Sequence, residues 1–396
     1  MSLITTYNPL PIYFTHGEGI WLYDEAGEAY LDSFSGIAVC GLGHAHPDVT
    51  RTIQQQSAKL LHTSNVFHIR AQEALAEKLI ALTGMEQVFF GNSGAEANEA
   101  AIKLARLYGH KKGIEKPALI VMDGAFHGRT MATLTASGNR KVQAGFEPLV
   151  PGFIRAPYND IDALRTIAAN RDDVVGIMLE PIQGEGGVIV ADESYLQAIA
   201  NLCEQHDWLF ILDEIQTGNG RTGKLFAYME LGIKPDVLTT AKGLGNGVPI
   251  SACLMSKKAC NLFKPGNHGS TFGGNPLACA TALTVLDVIL RDKLCEKVAR
   301  NSVILREKLM HEFSEHPNVR GIRGKGYMLG IELDRPANDL KAIGLSNRIL
   351  LNVTAESVIR ILPPLIISES EIDTLVEKLV KSVNAFVAKE SVTNTM

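Results

Sequence analysis

Two stretches of sequence decide the fold of this chain: WLFILDEIQ at residues 208–216 and PDVLTTAKGLGNG at residues 235–247. Each contains an apolar run typical of a buried strand, and each run ends near a charged side chain. Asp213 closes the first run and Lys242 closes the second. A charged amine at the end of a buried strand is costly unless it is neutralised or used in covalent chemistry. The two stretches therefore predict a chemical site at the edge of a sheet.

An acid and an amine at neighbouring strand ends suit pyridoxal phosphate as cofactor. Its aldehyde forms an imine with a lysine, and its pyridine nitrogen pairs with a carboxylate. Most lysines at strand ends simply extend into solvent, so Lys242 alone would not establish this chemistry. The order of strand, Asp213, strand, Lys242 and Gly243 favours the cofactor when it is combined with the motifs below.

Length, composition and charge narrow the class of protein. A chain of 396 residues is long enough for two domains. The formal net charge of −5 argues against nucleic acid as a partner. No apolar run approaches the ~20 residues of a membrane-spanning helix. The six cysteines are scattered, and residues 1–7 lack the features of a signal peptide, so we expect a cytoplasmic protein.

The pair His44 and His46 lacks a nearby third ligand, and we expect turn roles rather than a metal site.

Apolar runs alternate with helical patterns from Pro47 to about Gly274, which predicts an α/β domain with a mostly parallel sheet. A β-hairpin is predicted before it, over residues 19–32. A long helical stretch, from about Pro276 to Glu312, is expected to leave this domain and lead to further strands and a final helix. We therefore predict an N-terminal segment of a small domain at 1–48, a large domain at 49–275, and a linking helix with the C-terminal small domain at 276–396.

The stretch GNSGAEANE at residues 91–99 follows a predicted strand and opens a predicted helix. Small residues at a helix N-terminus leave N–H groups free to bind phosphate. Ser93, Gly94 and Ala95 are therefore the candidate phosphate site. An ordinary Ser or Asn cap is the alternative for this motif taken alone.

The stretch GAFHGRT at residues 124–130 also follows a predicted strand. The phenyl ring of Phe126 could stack on a flat pyridine ring, and the planar guanidinium of Arg129 suits a substrate carboxylate. Taken alone, Phe126 could equally be a core residue and Arg129 a surface ion-pair partner.

In combination these motifs resemble the class III pyridoxal-phosphate aminotransferases, which act on ω-amino acids, and the resemblance covers nearly the whole chain. The matching segments are GEG at 17–19, NSG at 92–94, FHGRT at 126–130, EPIQGEGG at 180–187, DEIQTG at 213–218, AK at 241–242, STFGGNP at 270–276 and RILPPL at 360–365. The resemblance implies the fold-type I architecture of these enzymes, a large domain with a mostly parallel seven-stranded sheet and a smaller α+β domain formed from both chain termini.

The resemblance also implies roles at the cofactor. Lys242 would bind the aldehyde and move a proton, Asp213 would keep the pyridine nitrogen protonated, and Gln216 would meet the phenolic oxygen. Phe126 would stack on the ring. In a homodimer with shared active sites, Thr271 of one subunit would bind the phosphate held by the other.

Substrate roles follow from the same resemblance, which is closest to enzymes that act on N-acetylornithine with 2-oxoglutarate as acceptor. Arg129 would hold the carboxylate of the acylated donor, and Ser270 would touch substrate. Glu185 and Arg360 would be paired with the ω-amino donor bound and parted when Arg360 takes the α-carboxylate of glutamate.

Several alternatives remain open from the sequence. Succinylornithine, N-succinyl-diaminopimelate semialdehyde, ornithine and 4-aminobutyrate would use the same catalytic residues. Ile37 stands where ornithine aminotransferases of this class have a Tyr that meets the free α-amine, which favours an acylated donor. A decarboxylase or aminomutase has no use for a Glu185–Arg360 switch, and a cofactor-free binding protein would not need Lys242 and Asp213.

Overall fold

The computed structural model of the protein describes residues 2–393. The strands in this part of the chain are β1 (Phe14–Glu18), β2 (Trp21–Asp24), β3 (Ala29–Asp32), β4 (Gln87–Gly91), β5 (Ala118–Met122), β6 (Phe153–Ala156), β7 (Val174–Leu179), β8 (Ile182–Gln183), β9 (Ile189–Val190), β10 (Leu209–Asp213), β11 (Val237–Thr240), β12 (Ser251–Met255), β13 (Val319–Lys325), β14 (Met328–Leu333), β15 (Ile349–Leu350), β16 (Asn352–Thr354) and β17 (Val358–Ile361).

The α-helices of residues 2–393 are α1 (Ser35–Ala38), α2 (Pro47–Ser57), α3 (Arg70–Thr83), α4 (Gly94–Lys111), α5 (Met131–Ala136), α6 (Arg140–Gln143), α7 (Ile161–Asn170), α8 (Glu193–Gln205), α9 (Pro276–Arg291), α10 (Leu294–Phe313), α11 (Leu340–Ser346) and α12 (Glu369–Thr393). Two short 3-10 helices lie at Ala227–Glu230 and Lys242–Leu244. Among these described helices, none combines the length and apolar character that crossing a membrane requires.

A seven-stranded sheet forms the centre of the molecule, with the strand order β4-β12-β11-β10-β7-β5-β6. The pairs β11–β10, β10–β7, β7–β5 and β5–β6 are parallel, and β12 is antiparallel to both of its neighbours. Strands β5, β7, β10 and β11 are buried along their whole length, which explains why they are continuous apolar runs in the sequence. The predicted α/β fold with a mostly parallel sheet is confirmed.

The register of β10 and β11 brings the predicted acid and amine together. Because these strands are adjacent and parallel, both end at the same edge of the sheet, and Asp213 is the direct partner of Thr239. Lys242 follows Thr239 by three residues. Ligands in open α/β sheets bind outside the carboxyl ends of the strands, which is where these two side chains lie.

Both ends of the chain contribute to smaller sheets beside the central one. The predicted hairpin forms as β2 and β3, and β3 pairs in parallel with β15 from the C-terminal part of the chain. A second four-stranded sheet has the order β13-β14-β17-β16. Segments from both termini therefore build the smaller α+β part of the fold, as predicted. The domain boundaries at residues 48 and 275 remain predictions.

The predicted long helix from Pro276 to Glu312 is instead two helices. Helix α9 ends at Arg291 and α10 begins at Leu294, because Lys293 adopts a left-handed backbone conformation with φ of 51°. No glycine marks this break, and the periodic apolar pattern continues across it. The sequence therefore predicts one helical stretch where the structure has two helices. The apolar face predicted for the final helix does pack into the core, with Ile372, Leu375 and Leu379 fully buried.

Candidate active site

A cavity of about 380 Å³ opens at the carboxyl edge of the central sheet. Its wall contains eight of the predicted site residues: Ser93, Gly94, Ala95, Phe126, Arg129, Asp213, Gln216 and Lys242. The other predicted site residues, Glu185, Ser270, Thr271 and Arg360, are not part of this wall. Segments that are far apart in the sequence are therefore brought together around one space.

Lys242 lies at the start of a 3-10 turn and has a positive φ of 43°, which is unusual for a residue other than glycine. Backbone strain of this kind is concentrated at functional sites, where the surrounding structure maintains it. Burial and the nearby positive charge of Arg360 lower the pKa of Lys242 to about 8. About a tenth of the amine is consequently uncharged at pH 7 and able to act as a nucleophile.

Asp213 is buried, and its carboxylate is held by three protein donors. Oδ2 accepts hydrogen bonds from Asn98 Nδ2 at 2.7 Å and from His127 Nδ1 at 2.8 Å, and Oδ1 accepts from Ile215 N at 3.1 Å. Because a carboxylate only accepts, Nδ1 of His127 carries the hydrogen. Burial opposes a charge on His127, but the hydrogen bond to Asp213 together with the negative charges of Asp213 and Glu180 outweighs burial and raises the pKa of His127.

The N-terminus of helix α4 faces the cavity through Ser93, Gly94 and Ala95. Ser93 is the N-cap, and its hydroxyl accepts a hydrogen bond from Glu96 N at 3.3 Å. Gly94 has no room for a side chain, since a Cβ there would lie 2.8 Å from Ile215. The helix is 18 residues long, and its free N–H groups and dipole favour an anion at this end.

Phe126 and Arg129 lie at the rim of the cavity. The Arg129 guanidinium is 5.6 Å from the centre of the Phe126 ring, and its side chain is exposed. The backbone N–H of Phe126 donates to Glu180 Oε1 at 2.9 Å, which fixes the main chain that carries the phenyl ring. An exposed cation beside a half-buried ring suits a substrate carboxylate at the mouth of the site.

Arg360 is almost fully buried and has four hydrogen bonds to side chains. Nη1 donates to Glu185 Oε1 at 2.5 Å and to Gln216 Oε1 at 3.1 Å. Nε and Nη2 both donate to Asn352 Oδ1, at 2.9 and 2.7 Å. The predicted Glu185–Arg360 pair is therefore present, and Gln216 connects it to the cavity wall.

Ser270 and Thr271 lie on a loop at the surface of the chain. Ser270 is half-buried, and its hydroxyl accepts a hydrogen bond from Asn92 Nδ2 at 3.1 Å. Thr271 is exposed, and Phe272 beside it is 61% exposed. The roles predicted for Ser270 and Thr271 in a neighbouring subunit stay predictions.

Sequence reasoning missed several polar residues around the site. Glu180 lines the cavity, and burial raises its pKa to about 7 although His127 opposes the shift. Asn98 and Asn352 hold Asp213 and Arg360, respectively. Glu180 lies in the matching segment EPIQGEGG and His127 in the matching segment FHGRT. Their position in these segments is the sequence signal that could have identified them as site residues.

The two histidines and Asn246 have structural contacts. His44 Nε2 lies 2.8 Å from Asp32 Oδ2, and His46 caps helix α2. Asn246 has a φ of 45°, and its side-chain oxygen accepts from Leu42 N at 2.8 Å. Within residues 2–393 no group of three or more His, Cys, Asp and Glu side chains is arranged to hold a metal ion.

The residues of the cavity fit pyridoxal phosphate. Lys242 offers an amine to its aldehyde, Asp213 a carboxylate to its ring nitrogen, and the N-terminus of α4 a binding place for its phosphate. The space beside Phe126 suits its flat ring.

The family model for class-III aminotransferases matches residues 4–383 of the sequence. The chain belongs to the class-III aminotransferase family. Pyridoxal phosphate is accordingly the cofactor of this aminotransferase. Acetylornithine aminotransferase from Nitrosomonas europaea is 52% identical to it over 377 residues, which cover 95% of this chain and 96% of the relative. The protein of the same name from Methanothermobacter thermautotrophicus is 44% identical over 377 residues, covering 95% of each.

Solved structures of similar enzymes share the whole fold of the aminotransferase. N-acetylornithine aminotransferase from Stenotrophomonas maltophilia has a TM-score of 0.84 at 36% identity, covering 96% of this chain and 98% of that one. Ornithine aminotransferase from Toxoplasma gondii has a TM-score of 0.95 at 34% identity, covering 98% and 93%, and that structure has pyridoxal phosphate at partial occupancy in its active site. The predicted fold-type I architecture is thereby confirmed.

Proposed function

We propose that this aminotransferase transfers the δ-amino group of N2-acetyl-L-ornithine to 2-oxoglutarate, giving N-acetylglutamate 5-semialdehyde and glutamate, as in arginine biosynthesis. The substrate assignment is supported by the acetylornithine aminotransferases that are 44–52% identical to the chain. The observation that carries a two-substrate reaction is the Glu185–Arg360 pair, because a buried guanidinium that can exchange one carboxylate for another can serve two substrates in turn.

Pyridoxal phosphate, when bound, supplies an aldehyde that links covalently to amines and a ring that accepts electrons from the substrate carbon. Lys242 provides the amine for attachment and, when released, holds and moves the proton at the substrate carbon. Asp213 keeps a proton on the ring nitrogen, and its own contacts with Asn98 and His127 prevent it from turning away. We assign Gln216 to the phenolic oxygen, since it lines the same cavity as Lys242.

Recognition of the donor depends on the rim and on Ile37. We assign the α-carboxylate of acetylornithine to the exposed Arg129, beside Phe126. Ile37 packs against a small apolar cluster that includes Val188 and Val358. An aliphatic side chain gives a free α-amine no hydrogen bond, whereas an acylated amine carries no charge to satisfy.

Binding of 2-oxoglutarate or glutamate uses the same space differently. The α-carboxylate of glutamate would replace Glu185 at Arg360 and form a two-pronged contact with the guanidinium. Asn352 accepts hydrogen bonds from two nitrogens of Arg360, so the guanidinium stays in place during this exchange. Displacement of Glu185 is sufficient.

We further propose a homodimer with shared active sites, in which Ser270 and Thr271 reach the cavity of the partner subunit. The exposed Phe272 and the exposed apolar residues of the loop after α2 support a second copy as the occupant of this surface. These loop residues are Leu60, Leu61, Val66 and Phe67. Cofactor held at such an interface would stabilise the dimer. The six free cysteines agree with a cytoplasmic location, which we also propose.

Ornithine is the second candidate donor, because the ornithine aminotransferase from Toxoplasma gondii shares the whole fold at 34% identity. Succinylornithine and 4-aminobutyrate are chemically close to both. All of these donors would require the same Lys242, Asp213 and Glu185–Arg360 set, so the discrimination lies in the pocket for the α-substituents.

Paired turnover assays test the assignment. The value of kcat/KM is measured for acetylornithine, succinylornithine and ornithine, each with 2-oxoglutarate, in the wild type and in Ile37→Tyr. We expect acetylornithine to be preferred by the wild type, and the tyrosine hydroxyl to shift preference toward ornithine. A wild type that prefers free ornithine would overturn the acetylornithine assignment and leave the aminotransferase reaction intact.

A further inference from the structure

Asn98 lies at the centre of a fully buried network behind the cavity. Its Nδ2 donates to Asp213 Oδ2 at 2.7 Å and to the backbone carbonyl of His127 at 2.8 Å. Its Oδ1 accepts from Thr239 Oγ1 at 2.8 Å. Asn98 and Thr239 are both 0% exposed. The Asn98 amide thus connects β10, which ends at Asp213, with β11, which leads to Lys242, and with the loop that carries Phe126 and His127.

The network allows only one orientation of the Asn98 amide. Rotation by 180° would place its oxygen against the oxygens of Asp213 and His127, and all three would be acceptors. The hydroxyl of Thr239 would then face a donor. Because a hydroxyl can also accept, the acceptor-only oxygens of Asp213 and His127 set the orientation of the amide, and Thr239 holds its oxygen from behind.

Asp213 is consequently asymmetric. Oδ2 accepts from both Asn98 and His127, whereas Oδ1 accepts from the Ile215 backbone in the described part of the chain. Oδ1 retains free acceptor capacity at an oxygen of a residue that lines the cavity. The position of Asn98 on the first turns of α4 also ties this carboxylate to the helix whose N-terminus forms the candidate phosphate site.

We propose that Asn98, held from behind by the Thr239 hydroxyl, is a positioning residue that fixes the Asp213 carboxylate, with Oδ2 held by protein donors and Oδ1 presented to the pyridine nitrogen of the cofactor. The inference rests on the proposed role of Asp213 and is independent of which amino donor the enzyme uses. In it, Asn98 acts through Asp213 and does not touch the cofactor.

The test uses purified apoenzyme and pyridoxal phosphate, with the dissociation constant and the pH titration of the bound cofactor's visible band as readouts. Asn98→Asp keeps the size of the side chain and places a second carboxylate against Asp213, while Asn98→Ala removes the donor. Thr239→Val removes the hydroxyl that donates to Asn98 Oδ1, and Thr239→Ser retains it. Asn301→Ala is the control, since Asn301 is also a buried helical asparagine, at 2% exposure, whose side-chain oxygen accepts from Arg300 Nε, a residue outside the cavity wall. Asp213→Asn gives the reference effect.

We expect Asn98→Ala to weaken cofactor binding roughly tenfold, the size of one lost hydrogen bond to a charged group. Asn98→Asp should weaken it further, because two carboxylates would then compete for one proton. Both variants should move the midpoint of the pH titration of the visible band in the same direction as Asp213→Asn. Thr239→Val should move it in that direction to a smaller extent. Thr239→Ser and Asn301→Ala should titrate like the wild type.

The outcomes separate the possible failures. If the Asn98 variants lower only the Tm of the apoenzyme, in parallel with Asn301→Ala, while affinity and band stay unchanged, Asn98 is merely structural and the proposal is wrong. If Asp213→Asn perturbs the band and Asn98→Asp does not, the positioning role alone is overturned. If neither perturbs it, the role of Asp213 falls as well.

Discussion

Arg360 and Glu185 form an ion pair whose members differ sharply in accessibility: the arginine side chain is 1% exposed and the glutamate side chain 38% exposed. The guanidinium is fixed because Asn352, its direct partner across β16 and β17, accepts from two of its nitrogens. Glu185 is therefore the member that is free to move. A switch between two substrates would operate by withdrawal of Glu185 from an immobile Arg360.

Glu185→Gln should slow the half-reaction with the ω-amino donor and spare or improve the half-reaction with glutamate. Loss of the carboxylate leaves Arg360 free to hold an α-carboxylate, and a charge-assisted pair of this kind can shift preference by roughly 100-fold. Single-turnover rates of the two half-reactions, followed separately by the absorbance of the cofactor, measure the shift. An equal loss in both would mean that Glu185 is only structural.

Lys242→Ala should abolish turnover while the fold survives, because the amine is required for chemistry rather than for packing. Cofactor should still bind through the phosphate and ring contacts, so the loss of activity should exceed the loss of affinity. Turnover measured against a blank of free pyridoxal phosphate checks this, with Lys242→Arg as a matched control that keeps a positive charge. Transamination above the blank would show that another group performs the role of Lys242.

The rate of cofactor attachment to apoenzyme should rise with pH and level off above about pH 9. The pKa of Lys242 is lowered to about 8 by burial and by Arg360, and only the uncharged amine attacks an aldehyde. Attachment should accelerate roughly tenfold between pH 7 and 9, as the neutral fraction rises toward one. Stopped-flow absorbance gives the rate, and N-acetyl-lysine in place of the protein is the control. A rate that still climbs at pH 10 would show an amine with an ordinary pKa.

Subunit mixing should restore activity between two inactive variants, Lys242→Ala and the double variant Ser270→Ala, Thr271→Ala. If the loop enters the neighbouring cavity, each mixed dimer has one site with both lesions and one with neither. The mixture should then regain part of the wild-type activity. Mixing Lys242→Ala with Lys242→Arg is the control and should regain none. Exchange of subunits without recovery would show that the loop serves its own chain.

The central features of the fold and site were predictable because they are local in sequence. Buried parallel strands are continuous apolar runs, and the parallel register of β10 and β11 brings Asp213 and Lys242 to one edge.

Contacts between distant segments were not predictable from the residues. Glu180 accepts a hydrogen bond from the backbone of Phe126, 54 positions away in the sequence, and Asn98 donates one to Asp213, 115 positions away. Neither spacing carries a local signal. The helix break at Lys293 was missed because a non-glycine residue adopts the left-handed turn there, in the middle of a continuous apolar pattern.

Reduction of the holoenzyme with borohydride, followed by peptide mapping, identifies the lysine that holds the cofactor. The reagent converts the bond between cofactor and lysine into a stable amine, and mass spectrometry then identifies the modified residue. We expect a single modified lysine, Lys242, and no modification in holoenzyme treated without borohydride. Cofactor fixed at a different lysine, or at none, would contradict the assignment of the active site.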